Sequence, residues 1–325
     1  MTLLLSKTDL ERLLDLDAVI AAVEGAFAAY SAGKTETPLR VAVSPPGTNG
    51  VLLAMPCAVA EPPALGTKVV SVFRDNPSRG LPTVASIYLL SAYDTGAPLA
   101  VMDGGYLTAV RTAAGSAVAT RHLARPDART LGVFGTGVQA RFHVQALCRV
   151  LPISDVRVAG TSPKKEAAFA ARLRAECGVQ VRPAPPEEVS AADVVAACTT
   201  SATPVVVSEA VRAGAHLNAV GAFTPQTREL PTALIERAAV YVDARAGASA
   251  EAGDLLIPVH EGRFALDAVR GEIGEVVLGR VPGRRDDREI TVYKSVGAAF
   301  LDAATARLVY ERARQEGVGA TFDFR

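Results

Sequence analysis

The pattern with the clearest chemistry is Gly135-Thr136-Gly137-Val138-Gln139-Ala140, which fits Gly-x-Gly-x-x-Gly/Ala. It follows the apolar run Thr130–Phe134 and opens a helical stretch. In that context Gly135 permits a tight turn, Gly137 lets a pyrophosphate approach the backbone, and Ala140 is small enough for close helix–strand packing. The helix N-terminus then offers N–H groups and the positive end of its dipole to phosphate. Val156-Arg157-Val158-Ala159 reads as the next strand, and Gly160 stands at its end. A site for NAD(H) usually has Asp or Glu there for the ribose 2′-hydroxyl. Here Thr161, Ser162 and Lys164 follow instead, all able to donate to a 2′-phosphate. This predicts NADP(H) as the preferred cofactor, with NAD(H) as the alternative.

A second group is cationic. Arg111 falls in the first turn of a helix predicted over 109–124, where a cation opposes the helix dipole. It either pairs with Asp103 or meets a bound carboxylate, which the guanidinium and helix N–H groups would both favour. Lys68 lies within an apolar strand on the same face as Val70 and Val72. It either snorkels to water or points into a site. Arg40, before Val41–Val43, is a third cation.

These residues need elements to hold them. Residues 9–32 carry Leu10, Leu13, Leu14, Ile20, Val23 and Phe27 near helical spacing, which predicts one helix with Asp9 as N-cap. Short apolar runs at Val51–Met55, Leu65–Val72, Val84–Ala92 and Leu99–Met102, punctuated by Pro/Gly turns, predict mostly antiparallel strands. Beyond Thr108 strands and helices alternate: Thr130–Phe134, Val156–Ala159, Val194–Cys198, Leu217–Val220 and Val240–Asp243 are the strands. Alternation predicts a parallel sheet. The expected fold is α/β: a Rossmann doubly wound parallel sheet over 116–297, plus a split α+β domain from 1–115 completed by 298–325. The last helix is predicted over Ala298–Gln315.

Composition narrows the partners. Lys+Arg and Asp+Glu are both 34, so nothing predicts nucleic-acid binding. No apolar window approaches the ~20 residues of a membrane span. The four cysteines, Cys57, Cys148, Cys177 and Cys198, form no CxxC pair. That predicts neither a disulfide framework nor a metal site, and a reducing cytoplasm. The antiparallel sheet over roughly 40–103 has edges to cover, which predicts a homodimer.

The block from Lys68 through Asn76, Gly80-Leu81-Pro82-Thr83, Leu107-Thr108-Ala109-Val110-Arg111-Thr112-Ala113-Ala114 and the glycine motif together resemble the ornithine cyclodeaminase/mu-crystallin family. So do Asp94-Thr95-Gly96, Val220-Gly221-Ala222-Phe223-Thr224-Pro225, Arg228-Glu229-Leu230, Ala252-Gly253-Asp254 and Lys294-Ser295-Val296-Gly297. The resemblance spans nearly the whole chain. It implies a dimer, a first domain for substrate, and a Rossmann domain for NAD(P). It implies that Arg111, Lys68 and Arg40 bind the substrate carboxylate. It also implies that Thr83, Arg111, Thr136, Val138, Gln139, Thr199, Thr200, Val220, Gly221 and Ser295 lie against the cofactor.

The chain departs from the cyclodeaminases of that family at two positions. Where they carry acids that hold the attacking amine, this sequence has Leu53 and Phe223. A buried ammonium facing these would lose its partners. Leu53, Met55 and Phe223 suit an uncharged ring instead. The expected activity is reduction of a cyclic ketimine, Δ1-pyrroline-2-carboxylate or its six-membered homologue, by hydride transfer to C2, giving proline or pipecolate. Lys68 is the candidate proton relay. His122, His143, His216 and His260 form no recognisable acid–base dyad. The alternatives are another amino-acid dehydrogenase, a cyclodeaminase- or dehydratase-type lyase, and a non-catalytic NADPH-binding protein.

Overall fold

The computed structural model describes residues 1–73 and 75–324; Arg74, inside the Lys68–Asn76 block, and Arg325 lie outside them. The chain forms two compact units, Met1–Arg111 with Ala298–Arg325, and Thr112–Gly297. The first opens with strand β1 (Thr2–Leu5), helix α1 (Lys7–Leu13) and helix α2 (Leu16–Ser31). The single helix expected over 9–32 is therefore two. Ser6, not Asp9, is the first N-cap, and Asp9 is its capping-box partner, accepting from the Ser6 N–H at 2.8 Å. Asp15 starts the second helix by accepting from the Ala18 N–H at 3.0 Å. The apolar stripe runs across the break, so periodicity alone does not reveal it; the side-chain caps decide it.

Strands β2 (Thr35–Glu36), β3 (Val41–Val43), β4 (Gly50–Val59), β5 (Ala64–Phe73), β6 (Val84–Ser91) and β7 (Pro98–Asp103) follow. Neighbours from β4 to β7 pair antiparallel, as expected, but β1 joins β7 in parallel. Helix α3 (Gly104–Leu123) begins five residues earlier than predicted. The Asp103 carboxylate accepts from the Tyr106 N–H at 2.6 Å and starts the helix ahead of the expected position.

The second unit contains β8 (Thr130–Phe134), α4 (Val138–Val150), β9 (Asp155–Ala159), α5 (Pro163–Cys177), β10 (Gln180–Pro183), α6 (Pro186–Ser190) and β11 (Val194–Ala197). After β12 (His216–Ala219) come α7 (Thr232–Ile235), β13 (Ala239–Val242), α8 (Arg245–Glu251), α9 (Gly253–His260), β14 (Gly271–Glu272), α10 (Ile273–Val277) and β15 (Thr291–Lys294). The sheet order is β10-β9-β8-β11-β12-β15-β13-β14, parallel throughout. This is the doubly wound arrangement predicted, with its order reversing between β8 and β11. Strand β15 was not anticipated. It is fully buried between β12 and β13, but Thr291 and Lys294 interrupt the apolar run that would mark it. Both faces are covered: Leu131, Val133, Val156 and Val158 pack in one core, and Phe134, Val195, Leu217 and Val292 in the other.

The chain ends as α11 (Ala299–Glu316) and β16 (Ala320–Phe322) in the first unit. Helix α11 lies on β4 and β5 and against α2. There Phe300 stacks on Tyr30 at 4.6 Å and meets Phe27 edge-on at 5.7 Å. Strand β16 pairs antiparallel with β1 at the sheet edge.

Candidate active site

The alternation of β5 puts Lys68 on the face that α11 covers. In neighbouring strands Met55 and Tyr88 stand directly across from it. Lys68 does not snorkel: it is 2% exposed, and its ammonium donates to Asp302 Oδ2 at 2.8 Å. Arg111, 4% exposed, donates through Nε to Asp302 Oδ1 at 2.8 Å. The structural partner of Arg111 is thus Asp302 rather than Asp103. One carboxylate bridges two cations, leaving a buried cluster with one positive charge in excess. Its Nε edge taken, Arg111 keeps Nη1 buried without a hydrogen-bond partner among the described residues. The Tyr88 hydroxyl is in the same position. Donors left unsatisfied in this way are costly, and a ligand carboxylate would complete them.

Burial, and then the Arg111 guanidinium, push the Lys68 ammonium down to about 8, against the opposing pull of Asp302. Arg40, half-buried, adds to the depression. Leu53 and Met55 are buried, two residues apart on the same face of β4. Thr83 is half-buried just before β6, and its carbonyl accepts from the Phe73 N–H at 2.8 Å. Asp302 escaped sequence reasoning. Its signal was present: on α11 it shares a face with Ala306, Val309 and Ala313, a lone acid on a buried apolar stripe.

At the carboxyl end of β8 the glycine motif has the expected geometry. Gly135 has φ of 105°, and a Cβ there would lie 2.7 Å from the Cys198 carbonyl oxygen. Gly137 is the N-cap of α4, with no side-chain cap and open space where a Cβ would be. Ala140 is fully buried. The first N–H groups of α4 therefore face an open cradle beside exposed Val138, which fits a pyrophosphate. Thr136 and Gln139 are half-buried beside it.

The loop after β9 differs from expectation in one respect. Thr161 and Lys164 are exposed, and Ser162 caps α5. An acid does reach the strand end: Glu166, one turn into α5, accepts from the Gly160 N–H through Oε1 at 2.9 Å. Reading position 160 alone missed it, because the carboxylate folds back from a later residue.

The loops after β11 and β12 are held by a buried carboxylate. Glu229 Oε1 accepts from the Thr199 N–H at 2.6 Å and its hydroxyl at 2.8 Å; Oε2 accepts from the Gly221 N–H at 2.7 Å. Gly221 is required there, since a Cβ would sit 2.2 Å from the Thr199 carbonyl oxygen. Asp254 accepts from the N–H groups of Glu229 and Leu230, and Lys294 pairs with Asp254 at 2.8 Å. All three charged groups are fully buried. Burial first, and then Asp254, raise the Glu229 carboxyl above its ordinary range. Val220 and Thr200 flank this clamp, half-buried and exposed respectively. Ser295 turns inward and donates to Asp243 at 2.7 Å. Phe223 is half-buried against the second unit's core. The glutamate and the lysine appear in the sequence motifs, but their roles are visible only in this convergence.

Two histidines are excluded as acid–base groups by their surroundings. His143, between the Gln139 carbonyl and the Ser116 hydroxyl, is pushed by burial to about 4. His216, facing Thr291, is pushed by burial to about 3. Among the described residues no cluster of His, Cys, Asp and Glu could hold a metal, the four cysteines are free, and no helix is long and apolar enough to cross a membrane.

The model of the ornithine cyclodeaminase/mu-crystallin family matches residues 1–317. A Δ1-pyrroline-2-carboxylate reductase of Bacillus cereus is 39% identical over 325 residues, covering 99% of this chain and 100% of that protein. The Δ1-pyrroline-2-carboxylate reductase of Thermococcus litoralis, solved with NADH and L-proline, superimposes with a TM-score of 0.96 at 39% identity, covering 99% of this chain and 100% of the other. An archaeal alanine dehydrogenase dimer with bound NAD gives 0.95 at 36% identity, covering 100% and 99%.

Proposed function

Since the chain belongs to the ornithine cyclodeaminase/mu-crystallin family, we propose that it is a nicotinamide-dependent reductase of cyclic ketimines, with Δ1-pyrroline-2-carboxylate or its six-membered homologue as substrate. The observation that carries this reading is the Lys68–Asp302–Arg111 cluster, with its excess positive charge and the unpartnered Nη1 of Arg111. The first unit holds the imino acid and the second the dinucleotide. Arg111 and Lys68, with Arg40 adding charge, bind the carboxylate and fix the ring's orientation. Leu53 and Met55, buried on one face of β4, give it an apolar wall. The Gly135–Ala140 turn and the loops of Thr199 and Gly221 hold the cofactor, which when bound supplies the hydride that C2 accepts. The ring nitrogen needs one proton. At neutral pH Lys68 Nζ holds one and is the proposed donor to an imine that arrives unprotonated.

A homodimer is proposed through the outer face of the first sheet. Val41, Val43, Leu52 and Ile87 are 60%, 55%, 40% and 52% exposed there. Val43 pairs with Leu52, and Val69 with Ile87, so the side chains form one apolar patch across strands. The dimeric archaeal relative supports a second copy as its cover.

Cofactor oxidation across a panel of cyclic imines and 2-oxo acids tests the activity. Oxidation with either cyclic imine, and no ammonia from ornithine, is expected. Turnover confined to open-chain oxo acids with ammonia would indicate a dehydrogenase. Ammonia release from ornithine would indicate a cyclodeaminase, and nucleotide binding without either reaction a binding protein.

A further inference from the structure

We infer that Glu166 is the residue that reads the adenosine ribose, and that it selects NADH over NADPH. The inference rests on the dinucleotide site proposed above. Gly160 ends β9, the strand next to β8 in the sheet, where the ribose of a dinucleotide on the glycine turn is expected. The acid usually found at that strand end is replaced by glycine. A Cβ on Gly160 would lie 3.1 Å from Thr136 Cγ2 and 3.5 Å from Glu166 Oε1, so a longer side chain there would crowd both. Glu166 fills the role from the following helix. Its backbone N–H donates to the Ser162 carbonyl at 3.0 Å, closing the first turn, and that turn brings the carboxylate back over the strand end.

Two consequences follow for the nucleotide. Oε1 occupies the Gly160 N–H, a donor that a 2′-phosphate would otherwise use. Oε2 has no hydrogen bond to the Gly160 N–H and can accept from a ribose hydroxyl, whereas a 2′-phosphate would face a like charge. Lys164 and Lys165 are exposed, so their charges are solvated and screened, and attract both nucleotides. The expectation of NADP(H) drawn from position 160 is thereby reversed.

The test is nucleotide binding without imine, by calorimetry, with NADH, NADPH, 5′-AMP and 2′,5′-ADP. It therefore reads the ribose site whether or not the protein reduces cyclic imines. The wild type should bind NADH roughly tenfold or more tightly than NADPH, the scale of one like-charge contact partly exposed to water. Glu166→Gln should tighten NADPH and 2′,5′-ADP, weaken NADH, and bring the ratio near one. Glu166→Asp, too short to reach Gly160, should give an intermediate ratio. Tighter NADPH binding by the wild type would overturn the inference, as would a ratio unchanged in both variants. Binding of neither nucleotide would overturn it together with the dinucleotide site.

Discussion

Asp302 Oδ2 lies 2.8 Å from Lys68 Nζ although 234 residues separate them in sequence. The same carboxylate holds the Arg111 guanidinium, so residues from a central strand, a long helix and the C-terminal helix share one charge. Two buried cations without this carboxylate would repel each other, and the lysine would lose its proton. With it, Lys68 is cationic below about pH 8.

Activity should therefore fall as pH rises through about 8, when the Lys68 ammonium that attracts the carboxylate is lost. Asp302→Asn removes the charge that holds the proton on, so the alkaline limb of the kcat/KM profile should move to lower pH. Lys68→Arg keeps the charge in this range but cannot give up a proton, so it should lower kcat while removing the part of the limb that Lys68 contributes. An Asp302→Asn profile superimposable on the wild type would show that Asp302 does not tune Lys68.

Arg111→Ala should leave the first unit folded, because Lys68 still pairs with Asp302. It should lower kcat/KM for the cyclic imine by the equivalent of about 2–4 kcal/mol, as truncation of a buried carboxylate contact does. Kinetics with thermal unfolding as the control measure this. Near-normal kcat/KM would reduce Arg111 to a structural ion pair.

Lys294→Met should destabilise the second unit. It leaves Asp254 and Glu229 buried without a cation, at a cost of about 3–5 kcal/mol. The Glu229 carboxyl is already raised, and losing Lys294 raises it further. A carboxyl raised on folding contributes stability at low pH that is lost as pH rises through its folded value. The deficit in Tm against wild type should accordingly widen as pH rises above the ordinary carboxylate range and through the raised Glu229 value. The lysine also holds the Ala222 carbonyl, so dinucleotide affinity should drop in parallel.

Ile87→Glu places a charge in the middle of the exposed apolar face of the first sheet without touching the core beneath it. The fold should persist by circular dichroism. Light scattering at micromolar concentration should shift from dimer to monomer. A dimer mass unchanged in this variant would place the interface elsewhere.

Local chemistry was legible in the sequence wherever one segment carries the whole signal. The glycine turn of 135–140, the alternating strands and helices, and the lysine on an apolar strand all belong to this class. A turn that needs glycine, or a strand with a buried face, announces itself within a few residues. The helix starts at Ser6 and Asp103 and the strand Thr291–Lys294 were misjudged because side-chain caps and a central sheet position overrode the apolar pattern.

Tertiary structure alone decided the partners of the charges. Asp302 joins Lys68 and Arg111, Asp254 joins Lys294, and Glu229 joins the loops of Thr199 and Gly221. A buried charge needs a counter-charge within a few ångströms, but nothing ties that partner to a nearby position in the chain. Even Glu166, only six residues beyond Gly160, needed the first turn of α5 to bring its carboxylate to the strand end. The sequence determined which groups can do chemistry. Which of them stand together, and with what net charge, was set by strands and helices from distant parts of the chain meeting within each unit.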